Sequence, residues 1–118
     1  MALSGTTRST AAAAIPFKMF QHPVVTVATA GTRVRVSAVD IFVKAAYFQA
    51  GEGNTADVYL CDNQVSSTLK GVTLAPRGTF SYAGDNIDGT GGEINLADFW
   101  VDADTNSNTL HVSYIKAR

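Results

Sequence analysis

The sequence predicts an all-β chain: a single antiparallel β-sandwich, jelly-roll-like, of about seven or eight short strands. A flexible arm is expected at residues 1–22 and the sandwich at 23–118. Three observations carry this reading. Apolar and β-branched residues alternate with polar ones in short runs, as in Arg33-Val34-Arg35-Val36-Ser37-Ala38. Clusters of Gly, Asn, Asp, Pro and Ser punctuate those runs roughly every 8–12 residues, the spacing of an antiparallel sandwich. Charged residues make up only 16% of the 118 residues, so Ser, Thr, Asn, Gln and Gly fill much of the polar quota. A chain of this length can bury about two-thirds of its unfolded surface, enough for a core.

Taken in order, the stretch Ser4 to Ala14 is small and polar, and reads as an arm that gains order only against something else. Met1 to Ile15 does not make a secretory signal, because its one Arg is followed by too short an apolar stretch before Pro16. After Pro23, Val24 to Ala28 reads as a strand, followed by a turn at Ala30-Gly31. In the run Arg33 to Val39, Val34, Val36 and Ala38 share one face, and Arg33, Arg35 and Ser37 the other. Ile41 to Ala50 reads as apolar on both faces, with Ile41, Val43 and Tyr47 opposite Phe42, Ala46 and Phe48. Such a strand needs a cover on each side, which points to oligomerisation.

Gly51-Glu52-Gly53-Asn54 can close a hairpin into Ala56 to Cys61. Strands are expected at Gly71 to Leu74 and Thr79 to Tyr82, joined by the corner Ala75-Pro76-Arg77-Gly78. There Pro76 presets φ at the first central turn position, and Gly78 tolerates the backbone conformation the corner needs as it exits. Glu93 to Val101 holds either a strand or one helical turn at Leu96 to Phe99 before a short strand, and Leu110 to Lys116 is the last strand. Phe99-Trp100-Val101 cannot all face one core, so Trp100 lies under a loop or against a neighbouring subunit.

Composition excludes several functions. A net charge of -1 supplies no field for nucleic acid or an anionic membrane, and no apolar run is long enough to span a bilayer. Cys61, in the alternation of Val58 and Leu60, reads as a small buried core residue. His22 and His111 have no ligand partners at metal spacing, and no serine sits in a nucleophile elbow. Asp102-x-Asp104-x-Asn106-x-Asn108 resembles the start of a calcium loop, but Ser107 stands where that loop needs Gly and Ser113 where it needs Glu. The expectation is therefore no catalytic, cofactor-binding or metal site.

The run "VKAAYFQAGEGNTADVYLCDNQVSSTLKGVTLAPRGTFSY", an acidic-glycine loop, and "INLADFWVDADTNSNTLHVSYI" together resemble small β-sandwich virion proteins of tailed bacteriophages. The matching features are Gly53-Asn54, Val58-Tyr59-Leu60, Asp62 with Val65-Ser66-Ser67, Leu74-Ala75-Pro76-Arg77-Gly78, and Ile94 to Asp104. The resemblance implies a capsid cement or decoration protein without catalytic activity. It would be a homotrimer bound to the major capsid protein at the virion surface, after assembly in the host cytoplasm. Arg8, Arg33, Arg35, Phe42, Phe48 and Trp100 are the expected partner and oligomer contacts. Two other readings stand beside it. One is a tail, neck or head-fibre component of the same virion. The other is a carbohydrate-binding jelly roll using Tyr47, Tyr59, Tyr82 and Trp100 as aromatic platforms.

Overall fold

In the computed structural model, residues 18–83 and 93–116 are described, and they form two antiparallel sheets packed face to face. In chain order the strands are β1 (Met19–Gln21), β2 (Val25–Val27), β3 (Val34–Arg35), β4 (Phe42–Ala50), β5 (Val58–Cys61), β6 (Val72–Leu74), β7 (Thr79–Ala83), β8 (Ile94–Asn95), β9 (Trp100–Ala103) and β10 (Asn108–Lys116). A 3-10 turn, Leu96–Asp98, separates β8 from β9. Among the described residues this bears out the all-β sandwich.

The larger sheet is built on β10 and β4, which pair along most of their lengths. β2 and β1 lie end to end along the free side of β10, and β7 and β8 lie end to end along the free side of β4. The smaller sheet runs β3, β9, β5, β6. β1 precedes the boundary expected from sequence at residue 22, yet Met19, Phe20 and Gln21 pair with Ile115, Tyr114 and Ser113. The sheet thus begins earlier than the turn at Pro23 suggested.

The core lies between the sheets, and period-2 alternation supplies it. Ala46, Phe48 and Ala50 of β4 with Leu110 and Val112 of β10 face Val58 and Leu60 of β5, Leu74 of β6, and Val101 and Ala103 of β9. Phe48 is 1% exposed and packs against Phe80 and Phe99, with ring centroids 6.2 and 5.2 Å away.

The two-faced apolar reading of Ile41 to Ala50 is corrected by a β-bulge. Ile115 stands opposite Ala45, but Lys116 stands opposite Val43, so β4 spends one more residue than β10 at Lys44. The bulge resets the alternation, and Val43 and Ala46, three residues apart, are both fully buried. Beyond it only Tyr47 and Gln49 of β4 are exposed. Most of the apolar surplus is consumed inside one chain.

The expected strand Arg33 to Val39 is likewise cut to two residues. The Ser37 hydroxyl donates to Val39 O at 2.6 Å and accepts from Val39 N at 3.3 Å, a local turn that competes with the ladder.

At the proline corner, Gly78 N donates to Ala75 O at 2.7 Å, which closes a four-residue turn. The left-handed residue is Arg77, with φ 68, rather than Gly78. Pro then positive φ is the signature of a type II turn. Gly78 is needed for a different reason, because a Cβ there would sit 2.8 Å from Ala75 O. Arg77 N donates to Ala50 O and Ala50 N to Gly78 O, tying the corner to the end of β4.

Candidate functional site

The two outer faces of the sandwich differ in kind. On the smaller sheet, alternation turns Tyr59 outward between the inward-facing Val58 and Leu60, yet Tyr59 is only 1% exposed. The loop from Asp62 folds back so that the Lys70 ammonium lies 5.1 Å from the Tyr59 ring centroid. That loop is built on local bonds: Asp62 accepts from Gln64 N, and the Ser66 hydroxyl accepts from Thr68 N and Leu69 N. A hydrogen bond to the Asp104 carboxylate, with burial and the neighbouring Asp57 and Asp102 charges, pushes the Tyr59 phenol up to about 12. The polar groups on this side are therefore occupied by the chain itself.

The oxygens that resembled a calcium loop are used in the same way. Asp102 accepts from Gly31 N and Ala103 N, Asn106 from Ala30 N, and Asn108 from Thr55 N while donating to Ala56 O. Each of these side chains is aimed at backbone donors, which fastens the β9–β10 turn to two other loops.

The outer face of the larger sheet is open. Cross-strand register places Gln21, Ser113, Tyr47 and Ser81 in one row, since Gln21 pairs with Ser113, Ser113 with Tyr47, and Tyr47 with Ser81. A second row holds His111, Gln49 and Thr79. These side chains line a groove of about 650 Å³, closed at one end by Glu52 and Arg77. Tyr47 is 42% exposed on its floor. Gln49 donates to Arg77 O at 3.4 Å, and Arg77 pairs with Glu52 at 3.5 Å. Arg77 is also the residue held at positive φ, an uncommon backbone state for a side chain of its kind.

The contacts expected from sequence are dispersed. Arg8 lies outside the described residues. Arg33 is exposed just before β3, and Arg35 spends its Nε on Ala97 O at 2.6 Å. Trp100, half-buried, stands between Arg35 and Cys61 on the outer face of the smaller sheet, so these two of the expected contacts meet. Phe42 is half-buried at the start of β4, in the other sheet.

Phe48 is corrected from interface to core, because the inward parity of β4 past the bulge points it between the sheets. Cys61 is corrected the other way. It is exposed, since a residue next to an inward Leu60 must face out. Tyr59 cannot be a sugar platform, being covered. Tyr82 pairs with the inward Ala46 and so does not share the groove.

The residues missed from sequence are Gln21, Gln49, Thr79, Ser81, His111, Ser113 and Arg77. Their signal was the polar half of each alternation, and only cross-strand register brings them together. No helix among the described residues is long and apolar enough to cross a membrane. Comparison with protein-family models, curated proteins and solved structures returns no match.

Proposed function

We propose that the chain is a non-enzymatic structural protein of a phage virion, a capsid cement or decoration protein that binds and stabilises the major capsid protein shell as a homotrimer. One observation carries the reading: the motifs of the phage-like pattern are joints of the sandwich. Gly53-Asn54 lies in the turn from β4 to β5, and Asn54 clamps Thr109 across it. Val58-Tyr59-Leu60 is the buried centre of β5, the proline corner joins β6 to β7, and Ile94 to Ala103 is β8, the 3-10 turn and β9.

The topology supports the same reading. With the end-to-end pairs β1/β2 and β7/β8 merged, the ten strands make eight positions. Their order is first, eighth, third, sixth over second, seventh, fourth, fifth, which we read as a jelly roll, an architecture used by capsid and lectin domains. The partner face we assign is the β3–β9 corner, where Trp100 is half-buried beside Arg35 and near Arg33. Its Trp and Arg are the residue types that anchor interfaces.

The test is quantitative protein mass spectrometry of purified particles, with sedimentation of the isolated protein. A cement protein is expected in a copy number commensurate with the capsid subunits, and as a trimer in solution. A handful of copies per particle would instead place it in a tail, neck or head fibre, and absence from particles would end the reading.

A further inference from the structure

We propose that the groove on the outer face of the larger sheet binds a short neutral oligosaccharide, with Tyr47 as the stacking floor and Gln21, Gln49, His111 and Ser113 as hydrogen-bonding walls. The inference stands apart from the virion assignment and can fail or succeed without it.

The first argument is polar inventory. Among the described residues the protein hydrogen-bonds every buried polar side-chain atom. Yet the side chains of Gln21, Tyr47, Thr79, Ser81, His111 and Ser113 make no hydrogen bond to the described residues, though cross-strand register sets them side by side. Gln49 is steadied by its bond to Arg77 O, which leaves its carbonyl oxygen without a donor among those residues. The groove thus offers amide, hydroxyl and imidazole groups of both hydrogen-bonding senses, on strands whose backbones are held by the sheet. The closed face of the smaller sheet, where Tyr59, Asp102 and Lys70 are engaged internally, offers nothing comparable.

Charge selects the ligand class. Among the described residues the groove's carboxylate and guanidinium, Glu52 and Arg77, are paired with each other at 3.5 Å. No unpaired lysine or arginine in its lining waits for a phosphate, sulfate or carboxylate. An exposed tyrosine ring among uncharged polar side chains suits a ligand with an apolar C–H face and hydroxyls around its rim, which is a neutral pyranose.

Shape disfavours a peptide strand as occupant. Peptides joining a sheet pair with an open edge. This groove is centred on β4 and β10, interior strands flanked on both sides by others. From the outer strands on either side, the floor is roughly 14 Å wide at ~4.8 Å per strand, and two side-chain rows deep along the strands at ~7 Å. That footprint fits a few sugar rings.

The experiment applies the purified full chain to an array of neutral oligosaccharides and their sulfated and sialylated counterparts, then titrates the best neutral binder by calorimetry. The expected result is binding of at least one neutral glycan. Tyr47→Ala and Gln49→Ala should each weaken it by about tenfold or more. Tyr82→Ala, outside the groove, should leave it unchanged. If Tyr47→Ala also lowers the melting temperature, glycan-induced NMR shifts in the wild-type chain decide, and they are expected at Tyr47, Gln49 and His111. No glycan bound, anionic glycans alone bound, binding that survives Tyr47→Ala with the fold intact, or shifts away from the groove would each overturn the proposal.

Discussion

Phe48→Ala separates the two accounts of β4 most sharply. The sequence alone set Phe48 at a partner surface, whereas the bulge at Lys44 turns it into the core, 1% exposed and flanked by Phe80 and Phe99. Truncating a buried phenylalanine to alanine costs about 3–5 kcal/mol, the lost transfer energy plus the cavity left by a lining that collapses only in part. The two aromatic neighbours belong to β7 and to the segment before β9, so both sheets border the void. Against a typical stability of about 5–15 kcal/mol, that is a large fraction of the whole. With a urea m-value of about 2 kcal/mol per molar, the midpoint should fall by roughly 2 M. The assay is urea unfolding followed by tryptophan fluorescence, with sedimentation velocity on the same sample. A loss under about 1 kcal/mol together with dissociation of an oligomer would refute the reasoning, because the ring would then face a partner.

Three further outcomes are expected. The Tyr59 phenol is pushed up to about 12 by Asp104 and burial, so the folded state holds this proton more tightly than the unfolded chain does. That contribution is complete below pH ~10 and disappears as pH rises toward ~12, so the stability gap between wild type and Tyr59→Phe should narrow across the window; a constant gap in alkaline urea titrations would contradict the Asp104 contact. Asn54→Ala removes an acceptor for Thr109 N at 2.8 Å and a donor to Thr109 O at 2.9 Å, and should cost about 1–3 kcal/mol by leaving both part-buried groups unpaired, measurable as a lower urea midpoint. Cys61, exposed on the outer face of the smaller sheet, should react stoichiometrically with a soluble disulfide reagent in the native protein; reaction only after denaturant would return it to the core.

The class of fold was legible in the residues because it depends on local periodicity. Alternation in Val24 to Ala28, in Ala56 to Cys61 and in Leu110 to Lys116 marks strands, and Gly53-Asn54 and Pro76-Arg77-Gly78 mark where the chain must turn. The helical turn at Leu96 was legible as one of two options, and it is capped by Asn95, whose side chain accepts from Ala97 N. Even the outward face of Cys61 was implied by its place beside Leu60.

Parity and register were not legible. A bulge of one residue at Lys44 exchanges inside for outside along β4, and it exists only because β10 runs beside it. Gln21, Ser113, Tyr47 and Ser81 share a row because four strands far apart in sequence pair at particular residues. The burial of Tyr59 depends on a loop returning over it. The sequence by itself determined that strands form and where they stop, since each residue's alternation and turn chemistry act over a few neighbours. The tertiary structure alone decided which side chains share a face and which face stays open, since that is set by hydrogen-bond pairing between distant segments.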